Sequence, residues 1–256
     1  MDGHESAQSV TGAGAELARH YHGLGDMTGD FRNRNLMTLV ATHVRGPRVL
    51  DVGAGSGGFV QELTNRGFDA IGVEPNPELR SLAARLHPNI HMVEGTTARV
   101  LENEKKGFDT ITMIDVLEHI EDDAASLQEM QKLLRPGGRL LLVMPAHSFL
   151  YGIRDRAYGH FRRYDKAYTV SLAESRGFRV SSLRHWNSIG VLPYLVSEKI
   201  FGRPLETSFR RKQSSLFGRF VQNSFHGWFR LVEHWVNFGF GLSIICVLER
   251  EKDKAA

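Results

Sequence analysis

Gly53, Gly55 and Gly57 punctuate the stretch Val49-Leu50-Asp51-Val52-Gly53-Ala54-Gly55-Ser56-Gly57-Gly58-Phe59-Val60, where a run of Val and Leu gives way to an apolar-periodic segment. The pattern predicts a buried strand, a tight loop and a helix. Its chemistry is that of bare peptide amides. Without side chains the backbone approaches a ligand closely, and free N–H groups at a helix start attract negative charge or hydrogen-bond acceptors. Gly53, Gly55 and Gly58 satisfy G-x-G-x-x-G, the dinucleotide fingerprint, whereas Gly53, Gly55 and Gly57 satisfy the tighter G-x-G-x-G. Asp51 at the strand end has no diphosphate to welcome; it suits a ligand with a cationic amine, or it holds the loop through its amides. The loop alone leaves both cofactor classes open.

Further groups able to bind or titrate stand at the ends of other apolar runs. Glu74, roughly twenty residues past the glycines, either accepts hydrogen bonds from two ribose hydroxyls or caps a helix beginning near Pro77. Glu94-Gly95-Thr96 follows a third run, and Asp115-Val116-Leu117-Glu118-His119 a fourth; His119 is either catalytic or a helix cap. The densest set is Pro145-Ala146-His147-Ser148-Phe149-Leu150-Tyr151-Gly152, then Asp155 and Gly159-His160-Phe161-Arg162-Arg163-Tyr164. One reading makes His160 or His147 a general base or orienting group and has Arg162 or Arg163 grip an anionic or carbonyl part of a substrate, beside Tyr164. The other pairs Asp155 with an arginine and packs His160, so that these residues only shape the loop.

The elements that must position these residues follow from periodicity. Strands are predicted at 49–52, 68–73, 90–93, 108–114 and 140–144, with crossover helices at 59–66 and 123–134 and a turn at Arg135-Pro136-Gly137-Gly138. Alternation at this spacing predicts a doubly wound α/β sheet, whose ligands sit at the C-terminal strand ends, where Gly53, Glu74, Glu94 and Asp115 all fall. A short helix around Ala15 to His22 and a longer one from about Phe31 to Val44 precede the first strand; Tyr21 either packs or belongs to a flap that closes over a ligand.

The series Val-Leu-Asp-Val-Gly-Ala-Gly-Ser-Gly, Glu74, Asp115-Val-Leu-Glu-His119 and Leu-Leu-Arg-Pro-Gly-Gly138, in this order, resembles the class I S-adenosylmethionine-dependent methyltransferases. Asp-x-x-x-Gly-His-x-Arg-Arg-Tyr resembles a small-molecule subgroup of them. The resemblance implies a Rossmann-like sheet of seven strands, the last antiparallel, with the sixth at 178–183 and the seventh at 240–248. It further implies that Asp51, Gly53 and Gly55 border the methionine moiety of S-adenosylmethionine, that Glu74 holds its ribose, and that Glu94, Gly95, Thr96 and Asp115 lie near the adenine or the cofactor edge; Tyr21, if it belongs to the flap, would close over the cofactor. The reaction so implied is methyl transfer to an oxygen, nitrogen or carbon atom of a small or amphipathic metabolite, leaving S-adenosylhomocysteine. The rivals are a nicotinamide-dependent oxidoreductase and an inactive methyltransferase-like binding protein.

Composition sets the frame. A chain of 256 residues accommodates one sizeable core, expected as a mobile tail at 1–13 and a single domain at 14–256 with a helical insertion at about 187–238. The net charge of +3 does not point to nucleic acid. The single cysteine, Cys246, excludes an intrachain disulfide and a cysteine-based zinc cluster, fits a cytoplasmic location, and no metal site is read from the sequence. From Lys199 to Arg230 basic residues interleave with aromatics, which suits an anionic bilayer, an amphipathic substrate, a homodimer surface or simply a solvated face.

Overall fold

The computed structural model describes residues 30–203 and 215–251; the expected tail, the helix at Ala15 to His22 and Tyr21 lie outside these residues. Seven strands form one sheet in the order β3-β2-β1-β4-β5-β7-β6. They are β1 Arg48–Val52, β2 Asp69–Glu74, β3 His91–Glu94, β4 Phe108–Ile114, β5 Leu134–Pro145, β6 Phe178–Trp186 and β7 Ser243–Arg250. β1 pairs in parallel with β2 and β4, while β7 lies antiparallel between β5 and β6. The sheet class and the antiparallel last strand are those expected. The chain's order reverses between β1 and β4, which opens the crevice at their C-terminal ends.

Helices cover both faces. On one side α1 (Phe31–Ala41) and α2 (Gly58–Asn65) bury Leu36, Val40, Phe59 and Leu63 against Val49, Val143 and Ile245. On the other, α4 (Thr97–Asn103), α5 (Asp123–Leu133) and α7 (Lys166–Ser175) pack Val100, Met130 and Leu172 against the opposite residues of the same strands. The helix starts are set by side chains: Asp30 accepts the N–H of Arg32 at 2.8 Å to begin α1, and Asn76 accepts the N–H of Glu78 at 2.8 Å to begin α3 (Pro77–Leu86). Gly72 explains how closely α2 rides on the sheet, since a Cβ there would stand 2.9 Å from Val60 and 2.8 Å from Ala54.

Two boundaries differ from expectation. β5 begins at Leu134 and runs through Arg135-Pro136-Gly137-Gly138, because Leu134 pairs with Phe108 across an irregularity in the β4 ladder. The seventh strand starts at Ser243, not Phe240. Within the insertion, α8 (Val191–Tyr194) widens into a π turn at Leu195–Ile200, and α9 (Leu216–Trp228) into another at Phe229–Glu233. Glu233 fastens this arm to the end of β6: its carboxylate accepts from the N–H groups of Asn187 at 2.6 Å and Ser188 at 2.9 Å and from the Trp228 indole at 2.9 Å.

Candidate functional site

A cavity of about 290 Å³ opens at the C-terminal ends of β1, β2 and β4, near the lower end of the size of small-ligand pockets. Its floor is the glycine loop. Gly53 and Ala54 donate to the Val73 carbonyl at 2.9 and 3.1 Å, so the loop folds back over β2. Gly53 has φ +67°, and a Cβ would meet Val116 at 2.6 Å, so this turn is reserved for glycine.

Glu74 closes the floor. One oxygen accepts the Gly55 N–H at 2.9 Å and the other the Asn76 N–H at 2.8 Å, which locks the carboxylate between the two loops. Each oxygen retains a further lone pair for a ligand donor. Burial raises its pKa, opposed by these two N–H donors and by the Arg80 charge. The far wall carries Asp115 and His119, and apolar side chains including Leu79 and Ile120 line the space between, a setting for a flat aromatic group flanked by polar ends. Asp115 holds φ +53°, rare outside glycine, which aims it away from the strand direction; its carboxylate is 3.7 Å from Arg32.

The cofactor residues expected from the sequence divide cleanly. Gly53, Gly55, Glu74, Gly95, Thr96 and Asp115 line the one cavity. Asp51 and Glu94 do not. Asp51 is buried behind the loop, where it accepts the Thr112 hydroxyl at 2.6 Å; burial pushes its pKa up to about 7, against the pull of Thr112 and with a push from Glu74. Glu94 lies at the sheet's edge strand, largely exposed, and pairs with Arg80 at 3.2 Å, so its carboxylate is turned from the cavity.

The loop that carries Gly159-His160-Phe161-Arg162-Arg163-Tyr164 is held by its own polar side chains. Arg163 is buried, its Nε 2.8 Å from Asp155 and its Nη2 2.6 Å from the Tyr194 hydroxyl. Arg162 pairs with Asp123 at 2.8 Å and donates to the Ile120 and Glu121 carbonyls, and Tyr164 is fully buried with its hydroxyl donating to the Leu117 carbonyl at 3.2 Å. All three side chains are engaged by partners within the protein. Arg162 and Tyr164 bolt the loop onto the turn that follows β4, and Arg163 ties it to Asp155 and Tyr194. What the bolts present is His160, whose Nδ1 lies 2.9 Å from Asp155 and whose ring meets that of His119 edge-on at 4.6 Å.

His147 stands apart from this group. It leaves β5 with φ +64°, and its ring stacks on His185 of β6 at 4.9 Å, beside β7 and not in the cavity wall. His119 is the histidine the sequence underrated: it lines the cavity, and burial together with the nearby His160 ring lowers its pKa to about 4, so it is neutral at physiological pH. Its neighbour Glu118 completes a group with His119 and His160 whose ligand atoms lie within 4.8 Å of one another. The signal for His119 was its position at a strand end; nothing in the spacing of the chain tied it to His160.

A family profile described as a methyltransferase domain matches residues 25–183. Among curated relatives, the ubiquinone biosynthesis O-methyltransferase of Aliivibrio fischeri is 27% identical over 128 residues, covering 45% of this chain and 54% of that protein. The chain thus spans about half the length of the curated relatives it matches. Among solved structures, a Thermotoga maritima SAM-dependent methyltransferase, described as a possible histamine N-methyltransferase, superposes with TM-score 0.59 at 17% identity, over 93% of this chain and 100% of that one. The phosphoethanolamine N-methyltransferase 2 of Haemonchus contortus, solved with S-adenosyl-L-methionine, superposes with TM-score 0.55 at 19% identity, over 86% of this chain and 53% of that one. At these identities the structural likeness concerns the fold.

Proposed function

The chain belongs to the methyltransferase-domain family, and from that premise we propose that it transfers the methyl group of S-adenosylmethionine to a hydroxyl oxygen of a small or amphipathic molecule. The observation that carries this reading is the convergence of the glycine loop, Glu74 and Asp115 on one cavity whose wall also carries His119, backed by His160. Glu74 is suited to accept from the ribose hydroxyls, since its carboxylate is already fixed and still has lone pairs to offer. The backbone of Gly53 and Gly55 suits close approach of the methionine part, and Gly95 and Thr96 the far side of the nucleoside.

The sulfonium activates the methyl group, so the protein's work is alignment of donor and acceptor for in-line displacement and exclusion of water. A hydroxyl acceptor must also lose its proton. His119 is the histidine of the wall placed to face that oxygen, and His160, oriented by Asp155, stands against it. An oxygen acceptor is favoured because the Aliivibrio fischeri relative is named for O-methylation. The amphipathic character is supported by the apolar surface of the insertion, where Phe217, Phe220 and Trp235 are more than two thirds exposed.

The test is transfer of labelled methyl from S-adenosylmethionine to a panel of phenols, aliphatic alcohols and amines, with S-adenosylhomocysteine release measured in parallel. The reading predicts turnover on hydroxyl acceptors, and for His160→Ala a drop of about 100-fold or more in turnover with S-adenosylhomocysteine affinity retained. Turnover confined to amines, or an unchanged rate in His160→Ala, would contradict it.

A further inference from the structure

We propose that Glu118, His119 and His160 form a binding site for one divalent transition-metal ion in the wall of the cofactor cavity. Glu118 and His119 are neighbours in the chain and His160 lies far along it; the fold brings the three together. Their ligand atoms all lie within 4.8 Å of one another. A tetrahedral site with bonds of about 2.1 Å places ligand atoms roughly 3.4 Å apart, so the cluster needs only a modest contraction to close on an ion.

An independent observation points to a missing partner. Glu118 is 1% exposed and its Oε2 has no hydrogen-bond partner among the described residues. A buried carboxylate oxygen without a donor is costly, and such an orphan calls for an explanation. Among the described residues, the positive charge acting on Glu118 is that of Arg163, which is already held by both oxygens of Asp155, and Asp115 and Asp155 add negative charge. A cation seated between Glu118 and the two imidazoles would satisfy the orphan and offset the surplus of carboxylates.

The outer partners fit ligation as well. His160 engages Asp155 through Nδ1 at 2.9 Å, which leaves Nε2 free to bind. His119 has backbone hydrogen-bond partners at Tyr158 and Gly159, which hold its ring, and one of its ring nitrogens lies within the same 4.8 Å group. A histidine whose second nitrogen is fixed by a carboxylate or a carbonyl is the usual metal-ligand arrangement, with tautomer and ring orientation set in advance. The backbone holds the two halves in register: the Phe161 N–H donates to the Glu118 carbonyl at 2.8 Å, and Arg162 ties the loop to the Ile120 carbonyl of the same turn. Two imidazoles and one carboxylate favour zinc, cobalt, iron or manganese over magnesium or calcium, and leave coordination positions open.

Because His119 belongs both to this cluster and to the cavity wall, a hydroxyl acceptor in the cavity has access to the ion. This part rests on the methyltransferase reading. Coordination would acidify the hydroxyl, its proton leaving to solvent, and hold the oxygen for attack on the methyl carbon as the carbon–sulfur bond breaks.

The full chain, stripped with a chelator, is titrated with Co²⁺ by visible absorption and with Zn²⁺ by calorimetry, and S-adenosylhomocysteine binding is measured on the same preparation. One ion per chain is expected, and roughly 100-fold weaker binding in Glu118→Gln and in His160→Gln, each checked for folding by circular dichroism. Failure of both ions to bind a preparation that binds S-adenosylhomocysteine, or equal affinity in the parent and both variants, overturns the metal site and leaves the methyltransferase reading standing. Tight ion binding without nucleoside binding does the reverse.

Discussion

Asp51 is a carboxylate without a cavity to face. It stands under the glycine loop, bonded to Thr112, with its pKa raised to about 7 by burial foremost. An unfolded chain ionises an aspartate near pH 4. Between about pH 4 and pH 7 the unfolded chain therefore gives up a proton that the folded chain keeps, so this group's contribution to stability falls as pH rises through that window and is level above it. Asparagine has nearly the same shape, can accept the Thr112 hydroxyl and does not titrate. The stability of Asp51→Asn relative to the parent should thus change little at pH 4 and increase toward pH 8, by on the order of 2–4 kcal/mol, read from denaturant melts across the pH series. A difference that does not vary with pH would mean that folding leaves the pKa of Asp51 unshifted.

At the scale of elements, the loop at 159–164 and the turn after β4 act as one unit. Asp155 gathers the Arg163 guanidinium, His160 and the Gly152 N–H; burial opposes its ionisation, but His160 and Arg163 outweigh this and hold its pKa at about 2. Removing one partner from a buried ion pair strands the other. Arg163→Met is therefore expected to cost about 3–5 kcal/mol in a thermal or urea melt, and to release His160 from its place against His119. A stable Arg163→Met variant with impaired acceptor binding alone would return the arginine to the substrate. The residue types in this loop were legible as chemistry, but their roles were not. Arginine beside tyrosine reads equally as a grip on a substrate or a bolt, and the partners that decide, Asp123, Asp155 and Tyr194, come from three other segments.

Across the whole molecule, the sheet and the cavity floor could be read in advance because each depends on local pattern: alternating strands and helices fix the strand ends, and Gly53, Glu74 and Asp115 stand at those ends. Glu94 escaped the rule because β3 is the edge strand, where a side chain at the strand end turns to solvent and Arg80. The insertion was legible as amphipathic but not as uncovered. Leu216, Phe217, Phe220, Leu231 and Trp235 are each at least 69% exposed. Arg203, Arg219 and Arg230 are exposed beside them, whereas the acids Glu198 and Glu233 are buried; Arg210, Arg211 and Lys212 lie outside the described residues.

No helix among the described residues is long and apolar enough to cross a membrane. An apolar face rimmed by arginine instead suits the surface of an anionic bilayer. The chain is expected to sediment with vesicles containing phosphatidylglycerol, to be released by salt, and to lose binding in Phe217→Glu/Phe220→Glu while nucleoside affinity is kept. Equal sedimentation with neutral vesicles, or a dimer that buries this face in solution, would contradict that assignment.

The account as a whole depends on a sulfonium nucleoside occupying the crevice between β1, β2 and β4. Calorimetric titration of the parent and Glu74→Ala with S-adenosylhomocysteine, alongside NAD, tests this most directly. The parent should bind S-adenosylhomocysteine and not NAD, and loss of the Glu74 carboxylate should weaken that binding by about 10-fold or more, as expected when hydroxyl partners are left unpaired. Binding of NAD alone, or S-adenosylhomocysteine affinity indifferent to Glu74, would contradict it.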